Sequence, residues 1–173
     1  VYKSVDGGES WNKLAGGIPE DEKGRIGIAV SPVNSDYVYI IIEGNEKSKG
    51  LYRSIDKGAN WEKRGTLSTA GNYYQELFCD PKNADKVYAM DYNIMVSIDG
   101  GKNFQPIGEK NKHVDNHALW VDDSNVNHIL SGCGGGISES YEGAQTWDFK
   151  DTSPITLFYR VCTDNDYPFY NVY

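Results

Sequence analysis

His113, Asp115 and His117 stand at alternate positions, and on an extended strand alternate side chains share one face. Two imidazoles and a carboxylate held together could bind a divalent metal, tune a proton-transfer group, contact a ligand, or form a hydrogen-bonded polar rim. Glu76 and Asp91 join Asp115 as candidates for acid–base work, because glycoside hydrolysis needs two carboxyl groups roughly 5–9.5 Å apart. Tyr73, Tyr74, Phe158 and Tyr159 offer ring faces on which a sugar or a partner chain could pack, and each could equally serve a core. Arg25 and Arg160 carry guanidinium forks that suit a carboxylate, whether on a ligand or on a neighbouring element.

Charge and composition narrow the partners. The chain has 173 residues and a formal net charge of −8, which argues against nucleic acid or an anionic membrane surface, since phosphate binding needs a basic face. No run of 18 apolar residues occurs, so no membrane insertion by a helix is expected. Three cysteines, Cys79, Cys133 and Cys162, give no disulfide framework and no zinc spacing; Cys79 and Cys162 are expected as small core fillers. No cofactor or dedicated metal site is expected.

The elements that position the candidates are announced by a repeat. Ser4-Val5-Asp6-Gly7-Gly8-Glu9-Ser10-Trp11, Ser54-Ile55-Asp56-Lys57-Gly58-Ala59-Asn60-Trp61, Ser97-Ile98-Asp99-Gly100-Gly101-Lys102-Asn103-Phe104 and Ser140-Tyr141-Glu142-Gly143-Ala144-Gln145-Thr146-Trp147 share the pattern S-x-[DE]-x-G-x-x-[WF]. Their serines are 50, 43 and 43 residues apart, a period that signals stacked supersecondary units. The carboxylate folds back on backbone N–H groups to close a turn, glycine takes positive φ, and the aromatic opens the returning strand as an apolar anchor. Glu142 has one methylene more than an aspartate, so the fourth copy is expected to be the loosest staple.

A second motif recurs in step. Ser31 to Tyr39, Asp80 to Tyr88 and Asp122 to Leu130 each run from a Pro/Asn turn into a β-rich stretch, and Asp164 to Tyr173 is a less regular fourth. Short apolar runs precede them at Ile26–Val30, Leu77–Cys79, Ala118–Val121 and Tyr159–Cys162. One repeat is then strand A, a turn, strand B, a connection, strand C (Gly50–Ser54, Ile94–Ser97), the carboxylate turn and strand D. Four strands in about 43 residues are a β-propeller blade, and the fold class is all-β. The phase predicts a half-blade over 1–15, full blades over 16–65, 66–108 and 109–150, and a half-blade over 151–173. Either the half-blades pair to close a four-bladed ring, or the chain is a piece of a larger propeller; the second is the expectation.

The two motifs together resemble the Asp-boxes, or bacterial neuraminidase repeats, of sialidases, xyloglucanases and sortilin-like propellers. Gly24-Arg25-Ile26-Gly27-Ile28, His117 to Asp122, Gly132-Cys133-Gly134-Gly135-Gly136, Phe158-Tyr159-Arg160-Val161 with Asp164-Asn165, and Pro168 to Tyr173 are similar to large bacterial glycosyl-hydrolase-like proteins with sortilin-like repeats. In such relatives the glycine run reads G-C-D-G-G, and Gly134 stands where that aspartate would be. The resemblance implies a secreted or periplasmic bacterial protein. It also implies that strand A lines a channel and that the carboxylate turns lie away from the ligand face, which makes Ser4, Asp6, Gly8, Trp11, Ser54, Asp56, Gly58, Trp61, Ser97, Asp99, Gly101, Phe104, Ser140, Glu142, Gly143 and Trp147 structural.

The ligand face is then built from the D-to-A stretches Lys23–Arg25, Asn72–Glu76, His113–His117 and Leu157–Arg160, with the B-to-C residues Glu43–Lys49, Asp91 and Cys133. A sialidase would want three arginines on the sugar carboxylate, and with Arg53 beside a carboxylate turn and Arg64 on an outer strand that activity is not expected. Three functions remain open: a glycan-handling propeller, hydrolytic or carbohydrate-binding; a non-catalytic sortilin-like propeller for a peptide or protein; and a scaffold subunit of an envelope complex. The remainder of its own propeller is an expected partner in each.

Overall fold

The computed structural model describes residues 1–151 and the backbone of Cys162–Thr163 and Asn171–Val172. The repeated turns set the frame. In the first three copies the serine hydroxyl donates to the carboxylate at 2.7 Å and accepts the N–H of the glycine two residues past the acid at 2.7–2.9 Å. The same carboxylate accepts the backbone N–H of Ser10, Asn60 or Asn103 at 2.8–3.0 Å. Two successive residues sit in the left-handed region, Gly7 and Gly8, Lys57 and Gly58, Gly100 and Gly101, so the turn needs positive φ twice.

The fourth copy departs at two positions. The Ser140 hydroxyl accepts the backbone N–H of Glu142 at 3.3 Å and of Ala144 at 3.0 Å but makes no bond to the Glu142 carboxylate, and the longer acid accepts from the Thr146 hydroxyl at 2.9 Å. The glycine is also one place early: Gly143 takes the first left-handed position and Ala144 the second, at φ 72°. Gly143 therefore does not match Gly8, Gly58 and Gly101; Ala144 holds that place and puts its methyl into the core.

Strand pairing follows from these turns. β1 (Tyr2–Lys3) and β2 (Asn12–Lys13) form an antiparallel pair. β3 (Lys23–Val30), β4 (Val38–Gly44), β5 (Gly50–Ser54) and β6 (Glu62–Gly65) form a four-stranded meander, as do β7 (Leu77–Cys79), β8 (Val87–Ala89), β9 (Met95–Ser97) and β10 (Gln105–Pro106). β11 (Asn116–Val121), β12 (Ile129–Cys133), β13 (Gly136–Ser140) and β14 (Asp148–Phe149) make the third, and β15 (Cys162–Thr163) pairs with β16 (Asn171–Val172). No helix occurs among the described residues. This is an all-β propeller architecture of four-stranded antiparallel blades.

A meander of antiparallel strands puts its first and third turns at one end. Hydrogen bonds from Lys57 N to Asp36 O, Gly100 N to Asp85 O and Gly143 N to Asn127 O tie them together there. The D-to-A and B-to-C connections share the other end, where Asp115 N and Asn116 N donate to Tyr92 O and Asp91 O.

The core lies between blades. Val38, Ile40, Ile42, Tyr52 and Trp61 pack toward Leu14 and Ile18; Tyr39, Ile41 and Leu51 meet Leu77, Val87 and Ala89; Tyr88, Met90 and Ile94 meet Leu119, Ile129 and Trp147. Alternate strand residues thus feed opposite inter-blade layers. A glycine at or just past the end of strand D recurs in step with the turns, at Gly16, Gly65 and Gly108. A Cβ at these positions would meet the carbonyl oxygens of Ala59, Gly101 and Ala144, each in the following blade's carboxylate turn. Cys79 packs at one layer, where burial pushes its thiol up to about 12 and leaves it unreactive.

The staples have a pH signature. Donors from Ser10 and Ser4 hold Asp6 at about 2, donors from Asn60 and Ser54 hold Asp56 at about 2, and donors from Asn103 and Ser97 hold Asp99 well below the ordinary range. A carboxyl depressed on folding stabilises fully above its unfolded value and loses that contribution as pH falls through the folded value. The thermal midpoint difference between the wild-type chain and an Asp6→Asn, Asp56→Asn, Asp99→Asn variant should be constant above about pH 4 and shrink toward about pH 2.

Candidate functional site

At the end opposite the carboxylate turns, two clusters cross from blade to blade. The first is centred on Arg25 in β3. Its guanidinium meets Glu76 Oε1 at 2.7 Å and the Gly71 carbonyl at 3.4 Å, while its backbone N–H donates to Glu43 Oε2 at 2.9 Å. Gly24 and Gly71 leave room here for the Glu43 carboxylate, which a Cβ on either would displace. Arg25 is therefore engaged by a neighbouring acid, and Glu76 has one oxygen, Oε2, buried without a partner. A groove of about 190 Å³ runs beside this pair, lined by Ile26, Ile28, Gln75 and Phe78 among others.

The second cluster joins the second and third blades. Tyr74 donates its hydroxyl to Asp115 Oδ1 at 2.6 Å, and His117 Nε2 lies 3.2 Å from the same oxygen. The Tyr74 and His117 rings stack at 5.1 Å. The Asp115 hydrogen bond, with burial and the charge of Asp91 behind it, pushes the Tyr74 phenol up to about 12, and the Tyr74 donor first and His117 second hold Asp115 below the usual carboxylate range. Tyr73 stands beside Tyr74 at 6.4 Å between centroids and is 67 % exposed; Tyr92, next to Asp91, is 60 % exposed.

The expectation that His113, Asp115 and His117 share one strand face fails. β11 begins at Asn116, and Asp115 sits at φ 69°, in the left-handed region, so the alternation is broken between the two histidines. Asp115 and His117 still meet, because the turned backbone swings the carboxylate back over the strand. His113 instead binds the Val114 carbonyl at 2.6 Å and lies over Gly135. Among the described residues no three His, Cys, Asp or Glu side chains converge as a metal site. Asp91 accepts its neighbour's backbone N–H at 2.8 Å and lends its carbonyl to Asn116. Tyr159 and Arg160 lie outside the described residues, as does Phe158.

Several residues support the cluster in roles their sequence positions do not reveal. Asn116 is fully buried and donates to Tyr92 O at 2.9 Å and Glu109 Oε1 at 3.0 Å, while its oxygen accepts from Lys112 and from Ser131 at 3.2 Å. Lys112 is buried with it, against Glu109 and over the Trp147 ring at 5.5 Å. Gly134 and Gly135 form the floor: a Cβ on Gly134 would overlap Asp115 Oδ2, and one on Gly135 would overlap His113. The space of a side chain at 134 is thus filled by the carboxylate of Asp115.

The Tyr74–Asp115 bond has a spectroscopic consequence. Alkaline titration of the wild-type chain followed by tyrosinate absorbance should show a phenol near 12 that Asp115→Asn returns toward its ordinary value, about 10. An unchanged titration curve would place the hydroxyl elsewhere.

The fold matches known proteins. A family model for Sortilin-Vps10 (sortilin, neurotensin receptor 3) matches residues 1–130, and the chain belongs to that family. No curated protein matches it. Among solved structures, an ancestral GH74 enzyme is similar at TM-score 0.61 and 20 % identity, over 84 % of this chain and 20 % of that one. The GH74 xyloglucanase from Xanthomonas campestris aligns at TM-score 0.54 and 15 % identity, over 74 % of this chain and 23 % of that one. YCF48 from Cyanidioschyzon merolae aligns at TM-score 0.55 and 17 % identity, over 76 % and 38 %. The chain spans well under half of each of these proteins, and at such identities the likeness is one of fold.

Proposed function

We propose that this chain is the ligand-recognising part of a sortilin-like propeller, and that it holds a peptide or protein segment without catalysis. The observation that carries this reading is the state of the rim carboxylates. Glu76 and Glu43 are spent on Arg25, and Asp115 is held ionised by Tyr74 and His117. A glycosidase needs one carboxyl kept protonated as general acid, and Asp115 is shifted the opposite way. What the rim does offer is exposed tyrosine rings beside fixed hydrogen-bonding groups, the usual make-up of a recognition surface.

A second reading is carbohydrate binding. The exposed ring of Tyr73 beside Tyr74 suits the apolar face of a sugar, and GH74 enzymes share the fold. In either case we take the four stapled turns as Asp-boxes and the protein as secreted or periplasmic, in keeping with the rigid turns and the family. Scaffolding of an envelope complex is the remaining alternative and has no observation of its own.

The test presents the full chain with a peptide array and with xyloglucan oligosaccharides. Retained peptides that are lost on Tyr74→Ala but kept on Glu76→Gln, with no reducing sugar released, are the expected result. Sugar release that collapses in Glu76→Gln would overturn it.

A further inference from the structure

We infer that the rim around Asp115 takes a cationic group, an ammonium or guanidinium carried by the bound segment, on the free oxygen of that carboxylate. This rests on the peptide-binding reading above and names the chemistry of the group recognised.

Three features of the cluster lead there. The first is the open oxygen. Oδ1 of Asp115 is occupied by the Tyr74 hydroxyl and His117 Nε2, whereas Oδ2 has no donor among the described residues, and the side chain is 41 % exposed although Oδ2 rests beside the Gly134 backbone. Its direction is fixed, because the backbone is held at φ 69° by Asp115 N donating to Tyr92 O and Asp115 O accepting from Gly134 N.

The second is a carboxylate that no lysine or arginine meets. Lys112, three residues away, turns inward with its ammonium buried against Glu109, the His113 carbonyl and Asn116, so it does not neutralise Asp115. Among the described residues neither Asp115 nor Asp91 is paired with a lysine or arginine, Asp115 having the His117 imidazole at 3.2 Å as its ionisable neighbour, and both carboxylates act on Tyr74. An anionic ligand would meet two like charges here, and a neutral one would gain nothing from them.

The third is the frame of rings. Tyr74 and the His117 imidazole touch Asp115, Tyr73 stands exposed beside Tyr74, and the exposed Tyr92 follows Asp91 in the chain; cations are attracted to the faces of tyrosine rings. A fixed carboxylate oxygen among aromatic faces suits a lysine or arginine side chain, or a chain's amino terminus.

Affinity of the full chain is measured by titration calorimetry at low salt with three probes. These are an N-acetylated hexapeptide containing lysine and arginine, a free-amine hexapeptide lacking both, and an N-acetylated glutamate peptide. Binding of the first assigns the group to a side chain, and binding of the second to an amino terminus. In either case Asp115→Asn, which tolerates the same left-handed backbone, should weaken binding about tenfold to a hundredfold, and added salt should weaken it further. Equal affinity for the glutamate peptide, or an unchanged affinity in Asp115→Asn, would overturn the inference while leaving peptide recognition standing. Failure of all three peptides to bind, and of the array as well, would remove both.

Discussion

Trp61→Ala is expected to cost about 3–5 kcal/mol of stability, the range for emptying a large aromatic from a packed core. Trp11→Ala, at the same place in the same motif, should stay within about 0.5 kcal/mol, as surface substitutions do. The difference arises from what each ring covers. Trp61 is 6 % exposed, with Val38, Ile40 and Tyr52 on one side and Leu14 and Ile18 of the preceding segment on the other. Its indole N–H donates to Gly58 O at 2.9 Å, and its backbone N–H donates to Gly16 O at 2.6 Å. Trp11 makes the equivalent indole bond to Gly8 O at 3.0 Å but is 61 % exposed. Urea unfolding of the two variants side by side separates the motif's local turn chemistry from its role in joining blades. Equal costs would show that the aromatic acts only within its own turn.

Gly27→Ala is the second large effect, expected at about 3 kcal/mol or above, the upper end for overpacking. β3 carries Gly27 against the D-to-A loop of the next blade, and an added Cβ would overlap the Gln75 carbonyl oxygen and press on Ile41. Backbone cannot rotate away as a side-chain tip can. Gln75 is itself buried at φ 100°, its side chain tied to Thr69, so the loop has little freedom to retreat. The displacement would reach Glu76 and Tyr74 on either side of Gln75. Gly27→Ala is therefore expected to lower thermal stability and loosen the rim together, read as a fall in melting midpoint and a drop of the raised Tyr74 phenol toward its ordinary value. A wild-type melting midpoint would show that the two blades do not meet at this point.

The frame was legible because its chemistry is local. The serine, carboxylate, glycine and aromatic of each turn lie within eight residues and bond to one another, so their spacing alone announces the hairpin. The strand pattern followed from the turns: β5 coincides with the strand C read at Gly50–Ser54, and β7 with the apolar run Leu77–Cys79. The site was legible only as a list of neighbours. Arg25 and Glu76 are 51 residues apart and Tyr74 and Asp115 are 41 apart, so each pair exists only once blades pack side by side. The alternation of His113, Asp115 and His117 misled because one aspartate in the left-handed region cancels a period of two. Gly134 read as a missing acid and Gly135 only as part of a glycine run; their role as a floor depends on side chains that arrive from another loop.

With the working face at one end of the blades and the stapled turns structural, a bound segment perturbs the first end alone. The direct measurement is backbone amide chemical-shift mapping of the isotope-labelled chain, titrated with a peptide retained from the array. Perturbations grouped at residues 71–76, 91–92, 113–117 and 134–136 are the expected result. Perturbations grouped at the stapled turns, around Gly8, Gly58, Gly101 and Ala144, with the rim unchanged, would contradict it.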